Sequence, residues 1–160
     1  MIDKRALVAA LVAEIQSELD TMARLAKDSA DAATHEENKP ENDKDMRSTE
    51  ASYLARGQAG RVAELSAAIA QLQSMQLHAF AADEAVGISA IVELESKKLR
   101  TLCFVVPAGG GRKFKLGDVS VQTTTPTSPL GEAIVGLGAG EDTEVQTPQG
   151  MREYRILHVS

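Results

Sequence analysis

Residues 118–159 read DVSVQTTTPTSPLGEAIVGLGAGEDTEVQTPQGMREYRILHV, and this stretch decides the fold of the C-terminal half. DVSVQTTT (118–125) is rich in β-branched residues and partly alternating, the pattern of a strand. In TSPLGEAIVG (127–136), Ser128 stands directly before Pro129. A hydroxyl able to accept from a free amide, followed by a residue with no N–H and a φ already near the helical value, marks a helix start. Gly136 ends that short helix. EDTEVQT (141–147) and MREYRILHV (151–159) flank Pro148-Gln149-Gly150, a turn signal, and together read as a closing hairpin.

Upstream, VGISAIVELES (86–96) and KLRTLCFVVP (98–107) are short, β-branched and partly alternating. They read as two further strands, with the turn AGGG (108–111) behind them. AGGGRK (108–113) superficially suggests a phosphate loop, but it lacks the Walker spacing and a following helix, so it reads as a β-turn. Cys103, the only cysteine, lies among Leu102, Phe104 and Val105 and reads as a buried core thiol. No internal disulfide and no cysteine-rich zinc site is possible.

The pattern before Phe80 is helical. Leu7, Leu11, Ile15, Leu19, Met22 and Leu25 recur at three- and four-residue steps within 4–33 and form one stripe. A second stripe, Leu54, Gln58, Val62, Leu65, Ile69, Leu72 and Met75, runs through 45–78. Pro40 separates the two. Two helices of matched length with a short connection pack antiparallel, and roughly 30 residues make an arm about 45 Å long. Gly57 and Gly60 each cost about 1 kcal/mol in a helix interior, so they call for a packing reason or a turn. The expected architecture is α+β: an antiparallel coiled-coil hairpin over 1–79, then a small β-rich domain over 80–160.

Charge narrows the function. The net charge is −6, and residues 28–50 alone hold eight acids against three bases. Within them, HEENKPENDKDMRSTE (35–50) places carboxylates where the hairpin turns. Such a balance does not favour direct binding to a phosphate backbone; it favours a metal ion or a basic surface. Aromatics make up 3% of the chain, with no Trp, which argues against base stacking. His35, His78 and His158 show no ligand spacing. The N-terminus is broken by charges and reads as no signal peptide, and no apolar run is long enough for a membrane span. A cytoplasmic monomer is expected.

The C-terminal pattern resembles the C-terminal domain of the bacterial GreA/GreB transcript cleavage factors. The features that carry the resemblance are the opening strand, Ser-Pro-Leu-Gly with its short helix, the Gly-Leu-Gly-Ala-Gly-Glu-Asp passage (136–142), the Thr-Pro-Gln-Gly turn (147–150) and the Tyr-containing last strand. Gly-Arg-Val-Ala-Glu-Leu (60–65) is similar to a passage in the family's second arm helix. The resemblance implies an FKBP-like β fold that docks on RNA polymerase through Thr127, Ser128, Pro129 and Leu130. It also implies an arm threaded through the secondary channel toward the RNA 3′ end. Acids at a tip near 35–47 would there help hold Mg²⁺ jointly with the polymerase, which itself cuts the backtracked RNA; the chain would be no enzyme in its own right. Glu41, Asp43 and Asp45 are the candidate catalytic acids. Asp43 is the first choice as Mg²⁺ ligand, with Glu41 or Asp45 as the second. Arg47 and Arg56 are candidate basic contacts. The tip departs from the family pattern: its acids lack the three-residue spacing, Lys44 stands between Asp43 and Asp45, and Ser128-Pro129 replaces Asp-Pro. A channel binder that regulates or inhibits without cleavage is therefore the alternative. A coiled-coil adaptor and a prolyl isomerase are the readings from other classes. The isomerase lacks aromatic walls, since residues 81–160 contain only Phe104, Phe114 and Tyr154.

Overall fold

The computed structural model describes residues 2–36, 44–116 and 119–160. It is α+β, with a long N-terminal helical hairpin followed by a mixed sheet. The chain divides into two compact units, Val12–Ala70 on the one hand and the residues up to Leu11 with Gln71–Ser160 on the other.

Val12–Ala70 holds most of α1 (Lys4–Glu36) and α2 (Lys44–Ser74). Both are built from Ala, Leu, Glu, Gln and Arg, which lose little entropy in a helix. Arg61 of α2 donates to Glu18 of α1 at 2.5 Å. These two residues lie at nearly equal distances along their helices from the connection, which is the register of an antiparallel hairpin closed within one chain. Hydrogen bonding to Glu18, then its charge, raises the Arg61 pKa above the ordinary value. The arginine of the 60–65 passage thus works as a cross-helix tie. The stripes are buried only in part: Ile15 is 1% exposed and Leu65 3%, whereas Leu25 is 48% and Leu54 59%. Packing therefore weakens along the hairpin in the direction of its connection.

α2 runs unbroken through Gly57 and Gly60, and a Cβ at either would meet nothing within 4 Å. Neither glycine has a packing reason inside this chain. Gly57→Ala and Gly60→Ala are each expected to stabilise the protein by up to about 1 kcal/mol, through helix propensity alone. Urea unfolding followed by circular dichroism checks this.

The other unit contains a six-stranded sheet in the order β3-β4-β2-β1-β6-β5. Its strands are β1 (Ile91–Ser96), β2 (Leu99–Val105), β3 (Lys113–Leu116), β4 (Val119–Thr124), β5 (Asp142–Thr147) and β6 (Gly150–Val159). Only β2 and β4 run parallel; the other neighbouring strands pair antiparallel. Val92, Leu94, Cys103, Val105, Ile134, Ile156 and Val159 form a buried core on one face. The helix α3 (Pro129–Ile134) supplies Ile134, with Leu130 packed at the edge.

Several boundaries differ from the sequence reading. α2 ends at Ser74 rather than 78. The amide of His78 takes Ser89 Oγ at 2.9 Å and its carbonyl takes Lys4 Nζ at 2.6 Å, so these groups are satisfied outside a helix. Lys4 lies 4.9 Å from the Phe80 ring centroid, and burial lowers its pKa against the opposing pull of Glu84. β1 begins at Ile91 instead of 86, because the buried Ser89 takes a positive φ of 71° and breaks the extended run. β1 and β2 meet through Lys97 and Lys98, at φ 49° and 65°. That is the type I′ hairpin turn, normally the place of Asn or Gly. β3 was not expected. Its four residues are too short to show a period, and they form a strand because β4 offers an open edge. α1 begins under an unanticipated cap: Asp3 Oδ1 accepts from the amides of Arg5 and Ala6 at 2.8 and 3.2 Å, satisfying two of the free donors of the first turn.

Candidate functional site

Ser128 sets the local geometry of the site. Its Oγ donates to the Thr125 carbonyl at 2.8 Å and accepts from the Gly131 amide at 3.1 Å. Thr124 Oγ1 lies 2.6 Å from the same atom. The Ser128 proton is committed to Thr125, so Thr124 is the donor of that pair. The expected helix start is therefore present in full, with Pro129 as the first helical residue. Gly136, at φ 89°, follows the helix and donates its amide to Val86 at 2.8 Å. Gly131 is required by contact: a Cβ there would stand 1.8 Å from the Thr125 carbonyl oxygen.

This segment forms one wall of a groove of about 600 Å³ that runs across the core-facing side of the sheet. Pro129 and Leu130 lie beside Gln122 and Lys113 from one end of the sheet, and Arg152 and Tyr154 from the other. Register explains the assembly. Lys113 pairs with Gln122, and Gln122 with Cys103, across β3, β4 and β2. Arg152 shares a face of β6 with Tyr154 and Ile156, two and four residues on. Among the described lining residues, Arg100, Lys113 and Arg152 are basic and none is acidic. Arg100 is engaged with Glu93 at 3.2 Å. Lys113 and Arg152 are both exposed.

Two features at this groove are structural, as the sequence reading expects. The thiol of Cys103 is buried, and burial pushes its pKa up to about 12; at that value it is no nucleophile near neutral pH. The glycine turn at 108–111 is held by Thr123, whose Oγ1 donates to Gly109 O at 2.7 Å and accepts from Arg112 N at 3.0 Å. The Gly111 amide is spent on Thr123 O at 2.8 Å. It is a β-turn, not a phosphate cradle.

The remaining candidates lie on the hairpin. Glu41 and Asp43 fall outside the described residues. Asp45 and Arg47 lie in the first turn of α2, and Arg56 is exposed farther along the same helix. Thr127 is exposed just ahead of the Ser128 cap. The structure brings three of the docking candidates, Ser128, Pro129 and Leu130, to one groove together with Lys113 and Arg152, which the sequence reading did not single out. Arg152 was legible in principle, since the alternation that buries Ile156 and half-buries Tyr154 places it on their face. Lys113 was not, because its strand was not.

The family model for the C-terminal domain of transcription elongation factor GreA/GreB matches residues 81–160. The chain is 43% identical over 42 residues to the transcription elongation factor GreA of Syntrophobacter fumaroxidans, covering 26% of this chain and 27% of that protein. It is 25% identical over 100 residues to GreA of Pelobacter propionicus, covering 62% of this chain and 60% of that one. These matches span less than two thirds of either relative. The crystal structure of GreA factor homolog 1 of Thermus thermophilus aligns over 93% of this chain and 94% of that one, at 18% identity and a TM-score of 0.40. Among the described residues, no helix is long and apolar enough to cross a membrane.

Proposed function

The chain belongs to the GreA/GreB family of transcription elongation factors, and from that membership we propose that it docks on RNA polymerase through the groove beside α3 and stimulates Mg²⁺-dependent cleavage of backtracked RNA. The observation that carries this reading is the Ser128–Leu130 segment. It is locked by three hydrogen bonds around Ser128 Oγ and presented on an open groove within the part that the family model matches. A segment held this way loses little further entropy on binding.

In this reading the β domain supplies affinity and the hairpin supplies chemistry at the RNA 3′ end. Glu41, Asp43 and Asp45 offer hard carboxylate oxygens, a donor set that fits Mg²⁺. In this reading the acids hold the ion jointly with the polymerase and not alone. When bound, the ion supplies water activation and charge stabilisation for phosphodiester hydrolysis. The factor's own acids orient it and add negative charge at the tip, and Arg47 and Arg56 contact RNA or the channel wall.

A second reading rests on Lys44, which stands between Asp43 and Asp45: the protein occupies the channel and regulates without cleavage. Stalled, backtracked elongation complexes incubated with the protein and Mg²⁺ separate the two. Shortened RNA 3′ ends that extend again on nucleotide addition are expected. RNA of unchanged length, with altered elongation, supports the regulator.

A further inference from the structure

The groove carries charge of the opposite sign to the chain that bears it. The protein has a net charge of −6, yet the described lining residues of the groove include no acid, and of its three bases Arg100 is engaged with Glu93 and Glu95, which leaves Lys113 and Arg152. Lys113 and Arg152 stand toward opposite ends of the sheet, each exposed, and no ion pair within the described residues engages either. Between them lie Pro129, exposed, and Leu130, half-buried, with Leu94 and Val145 buried beneath. Covering Pro129 and Leu130 while leaving an ammonium and a guanidinium group unanswered would be costly. A matching ligand therefore brings apolar side chains to the centre and carboxylates to the margins.

Resting on the docking reading above, we infer that the groove recognises an acidic, amphipathic protein segment of the polymerase, with Lys113 and Arg152 as the residues that determine specificity by pairing with its Asp or Glu side chains. A protein segment fits better than a nucleic acid. The groove has one aromatic ring, Tyr154, for stacking, and its floor is aliphatic; single-stranded nucleic acid sites combine basic tracks with several stacking rings. The net charge of −6 also disfavours a polyanion. Positive charge at both margins sets the spacing of the carboxylates that a segment must offer, since complementary potentials set register and association rate more than raw affinity.

The test is competition of the full-length protein and its variants against a fluorescently labelled wild type for core RNA polymerase, at two salt concentrations. Lys113→Glu and Arg152→Glu are each expected to weaken binding by about tenfold or more, and the double variant to reverse the sign of the salt dependence, since salt screens the attraction in the wild type and the repulsion in the variant. Lys113→Gln is expected to fall between wild type and Lys113→Glu. Leu130→Asp is the control for the docking reading itself. If Leu130→Asp abolishes binding while both charge reversals bind like wild type, the charge inference is overturned and the docking site stands. Should Leu130→Asp also bind normally, the docking reading fails. Labelled single-stranded RNA is the third arm: RNA binding by the free protein that requires Lys113 and Arg152 would replace the acidic segment with a nucleic acid. Melting curves that match wild type keep each result attributable to the surface.

Discussion

The double substitution Asp43→Asn with Asp45→Asn is expected to abolish stimulated RNA cleavage while leaving polymerase binding nearly unchanged. Asn keeps the size and shape of Asp but removes the charge and one of the two oxygens able to bind the ion, so the change removes the metal-binding chemistry with little steric effect. Metal-assisted hydrolysis draws several kcal/mol from charge stabilisation, and each 1.36 kcal/mol is about tenfold in rate. Loss of both carboxylates therefore predicts a fall of at least about 100-fold in the cleavage rate. No loss of folding stability is expected, because the segment 28–50 already carries eight acids against three bases and neutralisation relieves that excess. The measurement is single-turnover cleavage of a backtracked complex over a range of Mg²⁺ concentrations. A double variant that cleaves like wild type removes the acids from the mechanism and leaves them as a solvated surface. A wild type that fails to cleave moves the protein to the regulator reading, and the variant is then scored on elongation rate.

The second large effect belongs to Gly131→Ala. The added methyl would sit 1.8 Å from the Thr125 carbonyl oxygen, with Thr125 C at 2.7 Å and Pro126 Cα at 3.1 Å. These are backbone atoms, and no rotamer change relieves the overlap. Overpacking against side chains costs about 1–3 kcal/mol; against a fixed carbonyl the upper end, about 3 kcal/mol, is expected. The displaced α3 also loses the Gly131 amide bond to Ser128 and loosens Leu130 and Ile134 from the core. For a domain near 100 residues that amounts to a fall in melting temperature of roughly 12 °C or more, with weakened competition for polymerase at temperatures where the variant is still folded. Gly136→Ala provides a comparison, since a Cβ there meets nothing within 4 Å and its cost comes from the positive φ of 89°. A Gly131→Ala melting temperature close to wild type would show that α3 can shift, and that Ser128–Leu130 is not rigidly presented.

Much of this protein was legible in one dimension. The leucine stripes determined two helices, because burial in an antiparallel hairpin repeats every three or four residues and the sequence carries that period openly. Ser128-Pro129 and Gly136 determined α3 nearly to the residue, because capping and positive φ are local chemistry. The Pro148-Gln149-Gly150 turn determined the β5–β6 hairpin for the same reason. The pairing of Arg61 with Glu18, the strand β3, the Lys97-Lys98 turn at positive φ, and the meeting of Lys113 with Arg152 around one groove were decided only by the tertiary structure. Each depends on a partner supplied from elsewhere in the chain: an opposing helix, an open sheet edge, a hairpin register, a shared face. Spacing along a sequence records which residues one element presents together, but a groove wall is made by elements far apart in the chain, and only the packed sheet brings them together.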